Sequence, residues 1–276
     1  MKIGIMQGRL SPPIQNKIQA FPIHFWKDEF KKAHEIGFSS IEWIFDDFKQ
    51  NPIMDQNGKY QIQRISKDFD ISINSCIADY FMIKKLFDCS ENEIKSNLET
   101  LKILIANCSE IGIKFLEIPL VDSSSLKKST HIQDFSSNLK KILPWAEKNK
   151  IIINLETDLP PTEFNLLLSS FESPFISANY DVGNSTSYGY DYSLEFEQIG
   201  KWIKNIHIKD RLRNGETVPL GTGDTDFGLF FSLIKKIKYS HELIIQGARE
   251  DLLNQSTLPQ ETCKKYFKFV QNSINC

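Results

Sequence analysis

The feature that most constrains the fold is an alternation of short β-branched runs with longer amphipathic segments, which repeats eight times along the 276 residues. The segment Glu91–Ile111, for example, has apolar residues at helical spacing and stops before Gly112, a residue type that favours helix ends. The run Ile151–Leu155 is apolar throughout, which is typical of a strand in a sheet covered on both faces. Eight strand–helix units in a chain near the usual ~250 residues predict a closed (β/α)8 TIM barrel.

Each predicted strand precedes a predicted helix. The strands are Lys2–Met6, Ser39–Ile44, Ile71–Ile77, Ile113–Pro119, Ile151–Leu155, Phe175–Asn179, Asn205–Ile208 and Glu242–Gln246. The helices are Phe25–Ile36, Tyr60–Phe69, Glu91–Ile111, Ile132–Asn149, Pro161–Phe171, Leu194–Ile203, Phe227–Ile237 and Gln260–Asn272. An open doubly wound sheet is the alternative, but no GxGxxG motif follows the first strand, which argues against a dinucleotide-binding version. Because no Pro-, Gly- or Ser-rich linker divides the chain, we predict a single domain over residues 1–276.

The composition is ordinary for a globular protein. The chain is 41% hydrophobic and 25% charged with a net charge of −2, which gives no support to binding of nucleic acid or a membrane surface. The apolar run after Met1 and Lys2 is too short for a signal peptide, and no stretch could span a bilayer. We therefore expect a cytoplasmic protein with a small-molecule partner, and a homodimer stays open. Five cysteines are scattered without a CxxC pair, so neither a zinc ribbon nor a disulfide framework is expected; they are Cys76, Cys89, Cys108, Cys263 and Cys276.

Polar residues cluster at the carboxyl ends of the predicted strands, which form the catalytic face of such a barrel. Glu156 follows strand five, and Asp181 follows strand six. His207 lies near the end of strand seven, and Gln246 ends strand eight. Because these four come from consecutive strands, we expect them to meet on one side of the barrel mouth. The longest irregular stretches also follow strands, and loops there carry function; they are Gly8–His24, Phe45–Lys59, Tyr80–Ser90 and Asn184–Ser193.

These four side chains together suit a divalent metal ion. Two carboxylates, an imidazole and an amide oxygen form a mixed ligand set for Mn²⁺, Mg²⁺, Co²⁺, Fe²⁺ or Zn²⁺, with positions left for substrate. Each residue alone has an ordinary alternative, because a histidine at a strand end is often structural and a loop glutamate is often solvated. Their convergence favours the metal site. The remaining histidines are interpreted as structural; they are His24, His34, His131 and His241.

Three motifs give the chain a resemblance to the xylose isomerase-like TIM-barrel superfamily. They are Tyr180-Asp181-Val182-Gly183-Asn184, Ile206-His207-Ile208-Lys209-Asp210 and Gly221-Thr222-Gly223-Asp224-Thr225-Asp226-Phe227. That superfamily contains sugar and sugar-phosphate isomerases and epimerases, inosose dehydratases and the family-2 apurinic endonucleases. The opening Gln7-Gly8-Arg9-Leu10 resembles bacterial members known only as isomerase- or epimerase-like, so the resemblance names no substrate.

The resemblance implies roles for individual residues. In the sugar epimerases of the superfamily, Glu, Asp, His and Glu bind one divalent metal. This implies Glu156, Asp181 and His207 as ligands here, with Glu156 also the catalytic base. Gln246 stands at the fourth ligand position, where its amide oxygen can coordinate a metal but cannot act as a base. Since these epimerases use two carboxylate bases, and a positioned base contributes ~10²–10⁴-fold, we expect one-base chemistry, either aldose–ketose isomerisation or dehydration. Arg213, six residues after the histidine, matches an arginine that contacts substrate in the epimerases.

Basic residues after strands one, seven and eight indicate an anionic or polyhydroxylated substrate, a sugar or sugar phosphate. Arginine binds phosphate bidentately, and the loops after strands seven and eight are the usual phosphate site of this fold. The alternative is that these cations balance nearby acids. Glu117 and Glu42 are candidates for a second acid, and the alternative for both is a salt bridge to Arg or Lys at the barrel rim. The cations are Arg9, Lys209, Arg211, Arg213 and Arg249, of which Arg9, Lys209, Arg213 and Arg249, together with Glu117, are predicted to contact substrate.

Two other functions stay open. The apurinic endonucleases need a multinuclear zinc site rich in histidine, whereas Asn184 stands where a histidine would follow the Asp181 motif. A net charge of −2 also offers no basic stripe for DNA. A non-catalytic member with a degraded site would bind a sugar derivative without turnover. Metal content separates the three, because the isomerase needs one divalent ion, the nuclease three zinc ions and the binder none.

Overall fold

The structure, a computed structural model, describes residues 1–254 and 256–275. Eight parallel strands pair in chain order, and the first also pairs with the last, so the sheet closes into a barrel. The predicted (β/α)8 TIM barrel is therefore confirmed. The strands of the barrel are β1 (Ile3–Met6), β2 (Ser40–Ile44), β3 (Ser75–Ile77), β4 (Phe115–Leu120), β5 (Ile152–Thr157), β6 (Ile176–Asp181), β7 (Ile203–Ile208) and β10 (Leu243–Ile245), while β8 (Asp210–Arg211) and β9 (Thr217–Val218) form an antiparallel hairpin after β7.

The barrel interior is polar near its carboxyl end. In β5 the buried Leu155 lies between Asn154 and Glu156, so the apolar and the polar side chains point to opposite faces of the sheet. Asn205 Nδ2 on β7 donates a hydrogen bond to Glu42 Oε1 on β2 across the interior, at 2.8 Å. The inner layers of this fold are usually filled by branched apolar residues, and here amides and carboxylates replace them.

Helices surround the barrel and bury their apolar faces against it. The longest, α4, has both predicted ends, because Ser90 and Glu93 form a capping box at its start and Gly112, at φ +95°, ends it. The helices are α1 (Trp26–Ile36), α2 (Gln56–Phe69), α3 (Tyr80–Ile83), α4 (Glu91–Ile111), α5 (Ser129–Lys140), α6 (Leu143–Asn149), α7 (Pro161–Ser169), α8 (Val182–Tyr188), α9 (Tyr192–Ile199), α10 (Phe227–Lys236), α11 (Glu250–Leu253) and α12 (Pro259–Asn275), with 3-10 turns at Pro52–Met54, Asp122–Ser124 and Gly200–Trp202.

One predicted helix is two separate helices in the structure, so that prediction is wrong. The segment Ile132–Asn149 contains the end of α5 and all of α6, which are separate helices. Pro144 has no backbone N–H, and inside a continuous helix its ring would clash with the carbonyl group of Lys140. As the second residue of α6 it needs no such hydrogen bond, so a new helix begins there.

Short helices lie in two stretches predicted to be irregular. The helix α8 covers the start of Asn184–Ser193, and α3 covers the start of Tyr80–Ser90. The residues of α8 include glycine, asparagine, serine and threonine, all with weak helix propensity. Its start is stabilised by Asp181, whose side chain accepts a hydrogen bond from the backbone N–H of Asn184. This cap links the end of β6 to the loop face of the barrel.

Four cysteines are free thiols, namely Cys76, Cys89, Cys108 and Cys263, and Cys276 lies outside the described residues. Within residues 1–254 and 256–275, we find no helix with the length and apolar content needed to cross a bilayer.

Candidate metal centre

Glu156, Asp181 and His207 point into the barrel mouth from three adjacent strands. β5 and β6 each run two residues further than predicted, so both acids lie on strands and not in loops. His207 Nδ1 lies 3.6 Å from Glu156 Oε2 and 3.9 Å from Asp181 Oδ2. One ligand atom from each residue lies within 4.8 Å of the others, and all three side chains are buried. The structure thus brings together the three residues that the sequence places at consecutive strand ends.

Two asparagines orient the carboxylates. Asn179 Nδ2 donates to Glu156 Oε2 at 2.8 Å and lies 3.1 Å from His207 Nδ1. Asn184 Nδ2 donates to Glu156 Oε1 at 2.7 Å. The backbone N–H of Asn184 donates to Asp181 Oδ1 at 2.9 Å, which leaves Asp181 Oδ2 as the oxygen that faces the imidazole. Each carboxylate is therefore fixed in one orientation.

Two cations lie beyond the end of β7. Lys209 Nζ lies 2.6 Å from Asp181 Oδ2 and 3.5 Å from Asn184 Oδ1. Arg211 Nη1 donates to the same Asn184 oxygen at 2.9 Å, and Arg211 Nη2 donates to Gly215 O at 2.7 Å. Asn184 therefore connects both cations to Glu156, which its amide nitrogen contacts.

A second acidic layer lies beneath His207. Glu42 Oε2 lies 2.7 Å and Glu117 Oε2 lies 3.3 Å from His207 Nε2, and Glu42, Glu117 and His207 also have ligand atoms within 4.8 Å of one another. Among the described residues, neither Glu42 nor Glu117 forms the alternative salt bridge to Arg or Lys, and both contact the histidine instead. Glu117 is 1% exposed and lies below the mouth, so the structure does not bring it to the substrate face as predicted.

Burial and charge shift the pKa values in this layer. Burial by itself would lower the pKa of His207, but the Glu42, Glu156 and Asp181 carboxylates raise it above its ordinary value. Burial, reinforced by the Glu156 and Glu42 carboxylates, raises the pKa of Glu117 well above its ordinary value. The lower layer therefore favours a proton on Glu117 and on the imidazole.

Gln246 lies next to an amide that the sequence does not single out. Gln246 Nε2 donates to Gln19 Oε1 at 2.9 Å, and Gln19 Nε2 donates to Asp79 Oδ2 at 2.7 Å. Gln246 Oε1 is buried and has no hydrogen-bond partner among the described residues. Burial is the main cause that raises the pKa of Asp79 to about 6. The hydrogen bonds from Gln246 to Gln19 and from Gln19 to Asp79 thus leave Gln246 Oε1 without a partner among the described residues. They also hold the carboxyl group of Asp79 at the barrel mouth.

The mouth opens into a cavity of about 530 Å³. This volume is within the usual range for a small-molecule site. Its wall includes Glu156, Asn184 and Gln246 from the candidate centre, with the acids Asp46, Asp79 and Asp122 and the cations Arg9, Lys17, Lys209 and Arg211.

The predicted substrate-binding cations have different positions. Lys209 lines the cavity, and so does Arg9, whose guanidinium donates to Gly247 O at 3.1 Å and Ile18 O at 2.6 Å. Arg213 is exposed, and its neighbour Arg211 lines the cavity instead.

Arg249 is committed elsewhere. Its guanidinium donates to the carbonyl oxygens of Gly8 and Ser11 and pairs with Asp251 at 3.1 Å, in a separate small cavity with Cys263. Burial and the nearby Arg249 charge lower the pKa of Arg9 to about 10. These two arginines therefore tie the first loop to the last barrel loop.

Four residues of the candidate site do not stand out in the sequence as site residues. Asn179 stands two residues before Asp181 and so shares its face of β6, a signal that the alternation could have given. Asp79 lies two residues after the end of β3, at the carboxyl end of the barrel where the other site residues lie. Arg211 stands out in the sequence only as one of several cations after strand seven. Gln19 lies in the long first loop, and no local pattern connects it to Gln246.

The donors fit a divalent metal ion, the cofactor that the fold implies. Glu156, Asp181 and His207 supply two carboxylate oxygens and an imidazole nitrogen within 4.8 Å of one another. Gln246 Oε1 is buried and accepts no hydrogen bond from the described residues, and Asp181 Oδ2 faces only the Lys209 ammonium group, at 2.6 Å. A buried acceptor without a donor is costly, and a cation held between these two oxygens would satisfy Gln246 Oε1.

The chain is similar in sequence to known proteins. The family model described as a xylose isomerase-like TIM barrel matches residues 30–264. The chain is 23% identical over 267 residues to a putative L-ribulose-5-phosphate 3-epimerase, SgbU, of Haemophilus influenzae, a match that covers 89% of this chain and 88% of the relative.

Solved structures share the fold at low identity. D-psicose 3-epimerase in the presence of D-fructose superposes with a TM-score of 0.80 at 13% identity, covering 100% of both chains. L-ribulose 3-epimerase gives a TM-score of 0.77 at 17% identity, covering 100% of this chain and 95% of the other. The IolI protein with a bound zinc atom gives 0.77 at 16% identity, covering 99% and 98%. The family match extends over most of the barrel, and we conclude that the chain belongs to the xylose isomerase-like TIM-barrel family.

Proposed function

We propose that the protein is a metal-dependent isomerase or epimerase-like enzyme that acts on a sugar or sugar phosphate by removing a proton next to a carbonyl group. The observation that carries the proposal is the convergence of Glu156, Asp181 and His207 within 4.8 Å, with Glu156 at the wall of a cavity of about 530 Å³. The sugar epimerases among the relatives support an enzyme of this class. Because their identity to this chain is low, they do not define its substrate, which depends on the residues that line its own cavity.

The proposed cofactor is one divalent ion, drawn from Mn²⁺, Co²⁺, Mg²⁺, Zn²⁺ and Fe²⁺. Glu156, Asp181, His207 and Gln246 would hold it, through two carboxylate oxygens, Nδ1 and an amide oxygen. When bound, such an ion polarises a substrate carbonyl and makes the neighbouring C–H more acidic. Because Gln246 is uncharged, the two carboxylates and a bound dication together carry no net charge.

Glu156 is the proposed base. Its carboxylate would take the proton from the carbon next to the carbonyl, and the electron pair of that C–H bond would move toward the carbonyl oxygen. Returning the proton to the adjacent carbon, with transfer of a hydroxyl proton between the two oxygens, completes an aldose–ketose isomerisation. Asn179 and Asn184 keep the carboxylate in place during the transfer, since each donates to one of its oxygens. Loss of a β-hydroxyl after the same proton removal would give the dehydratase variant.

The cations on the cavity wall are the proposed contacts to substrate oxygens or a phosphate. Lys209 and Arg211 both line the cavity, and Arg9 lies at its wall with two of its donors already used by backbone carbonyls. Arginine and lysine both bind phosphate, arginine in a bidentate fashion. A sugar phosphate is therefore as well accommodated as a free sugar.

Epimerisation is a second candidate, and a specific observation favours it. Asp79 lines the same cavity as Glu156, and burial raises its pKa to about 6, close to a working pH. A carboxyl group there would supply the second proton carrier that Gln246 cannot supply. On this proposal Glu156 removes the proton from one face of the substrate and Asp79 delivers a proton to the other.

Two further alternatives remain from the sequence. A non-catalytic sugar-derivative binder would have the cavity without turnover. An apurinic endonuclease-like enzyme is the least favoured, because Asn184 donates to Glu156 at the position where a histidine would be needed for zinc. Metal content of the purified protein distinguishes these, with one ion for the isomerase, none for the binder and three for the nuclease.

The test is a screen of ketoses, aldoses and their phosphates with Mn²⁺, Co²⁺ or Mg²⁺, read by NMR for isomers, epimers and loss of water. We expect Glu156→Gln to abolish turnover, by ~10³-fold or more for loss of the base, while metal binding only weakens, and His207→Ala to lose the metal. The matched control is Glu163→Gln, which changes an exposed glutamate on α7. Full turnover by Glu156→Gln would overturn the assignment of the base, and loss of epimer but not isomer formation in Asp79→Asn would identify Asp79 as the second proton carrier.

A further inference from the structure

The ammonium group of Lys209 contacts the carboxylate oxygen of Asp181 that a metal ion would use. Lys209 lies two residues after His207 and one residue beyond the end of β7. Lys209 Nζ lies 2.6 Å from Asp181 Oδ2, the oxygen that faces His207 Nδ1 at 3.9 Å. The other oxygen of Asp181 is already taken by the N–H of Asn184. A metal ion and the ammonium group therefore need the same atom.

The lysine is held in this position by packing. Its side chain is 14% exposed, and its stem crosses the first turn of α8 at Gly183. A Cβ atom at Gly183 would lie 2.8 Å from Lys209 Cβ and 2.9 Å from its Cγ, closer than side chains pack. Only a glycine therefore lets the stem lie flat against the helix and bring Nζ to Asp181. The contact is thus a built feature and not a freely solvated lysine.

The charges at this site make the contact matter. Glu156 and Asp181 bring two negative charges, and Gln246 brings none. Lys209 cancels one of the two at a distance where an ion pair inside a protein is strong. A dication bound to Asp181 Oδ2 would lie close to the Lys209 ammonium group, and like charges at such a short distance repel each other.

We propose that Lys209 competes with the divalent ion for Asp181, an inference that rests on the proposed metal-dependent function. Binding of the ion requires the ammonium to leave Asp181 Oδ2. The ammonium group then moves along the cavity wall, which Lys209 and Arg211 both line. Metal binding then delivers a second cation to the substrate side, so the ion and the substrate-facing amine are coupled through one carboxylate.

The experiment measures the affinity for Mn²⁺ alone by calorimetry in the full chain. We expect Lys209→Met to bind Mn²⁺ about tenfold more tightly or better, because a competing charge is removed. The matched control is Lys17→Met, which removes the same charge from an exposed lysine of the same cavity and should change the affinity less than about twofold. Lys209→Gln serves as a second variant if the methionine variant does not fold.

Each outcome decides the inference separately from the function. Equal or weaker Mn²⁺ binding by the Lys209 variants, or no binding by any protein, overturns the competition. If the unsubstituted protein binds Mn²⁺ and the Lys209 variants bind no more tightly, the proposed function stands and the competition fails. If only the Lys209 variants bind Mn²⁺, the competition stands and the unsubstituted protein is not a metal enzyme.

Discussion

Glu42 Oε2 lies 2.7 Å from His207 Nε2, although β1 and β10 separate their two strands in the barrel. Both side chains are fully buried. In the neutral imidazole that a metal ion requires, Nε2–H donates to Glu42 Oε2, and the Nδ1 lone pair then faces Glu156 and Asp181. Asn205 supports this arrangement by donating to the other oxygen of Glu42 at 2.8 Å. A glutamate from the far side of the interior thus selects the nitrogen that a metal would use.

Replacing Glu42 should therefore weaken metal binding without touching a ligand. We expect Glu42→Ala to lower the Mn²⁺ affinity about 10–100-fold, the usual effect of losing the partner that orients a histidine ligand. Calorimetry with Mn²⁺ measures the affinity, and the nitrogen chemical shifts of His207 report the change of tautomer. Glu147→Ala, at an exposed glutamate on α6, is the control. Wild-type affinity in Glu42→Ala would show that the imidazole needs no such support.

Restoring a carboxylate at position 246 should strengthen the candidate centre. Gln246→Glu replaces an amide whose oxygen has no partner with a charged ligand. We expect Mn²⁺ to bind about tenfold more tightly, about 1.4 kcal/mol, because a carboxylate among the ligands adds a charge that attracts the cation. The change also places two acceptors together unless the Gln19 amide turns over, since Gln246 now donates to it. An unchanged affinity would place the oxygen of residue 246 outside the metal site.

Arg211 and Arg213 are two residues apart in the chain but lie in different environments. Arg211 lines the cavity and donates to Asn184, whereas Arg213 is exposed. With a phosphorylated substrate, we expect Arg211→Ala to raise KM about 10–100-fold, the loss of charge-assisted hydrogen bonds. Arg213→Ala should change KM less than about threefold, and it serves as the matched control. Steady-state kinetics over both variants measures this, and a larger effect at Arg213 would return the substrate contact to the residue expected from the sequence.

Glu195 should make the stability depend on pH. Its carboxyl group accepts hydrogen bonds from Tyr180 at 2.8 Å and from Ser185, and burial raises its pKa from 4.5 to about 7. Because the folded state holds the proton more tightly than the unfolded chain, this contribution is complete below about pH 4.5 and is lost as the pH rises to about 7. The shift corresponds to about 3 kcal/mol of the free energy of unfolding.

Glu195→Gln keeps both acceptor bonds without the titration. We expect the free energy of unfolding of the wild type to fall by about 3 kcal/mol relative to this variant between pH 4.5 and pH 7. Denaturant unfolding across this range measures the difference. Glu197→Gln, exposed on the same helix, should follow the wild type at every pH. Parallel curves for the wild type and Glu195→Gln would contradict the assigned shift.

The sequence by itself determined the barrel and indicated three residues of the candidate metal centre. Strand and helix periods are local, because they depend on residues within a few positions of one another, and eight repeats leave few folds to choose from. Glu156, Asp181 and His207 follow from the same logic, since the carboxyl ends of parallel strands meet at one edge. The break at Pro144 was equally local and could have been predicted from the missing N–H.

Only the tertiary structure decided which partners these side chains have. Glu42 with His207, Gln246 with Gln19 and Lys209 with Asp181 are contacts made by closing the barrel or by the path of a loop. The first two join residues 165 and 227 positions apart in the chain, and no local pattern encodes such a distance. The physical reason is that the side chains inside a closed barrel interact across its interior, so their neighbours are fixed by the geometry of all eight strands together.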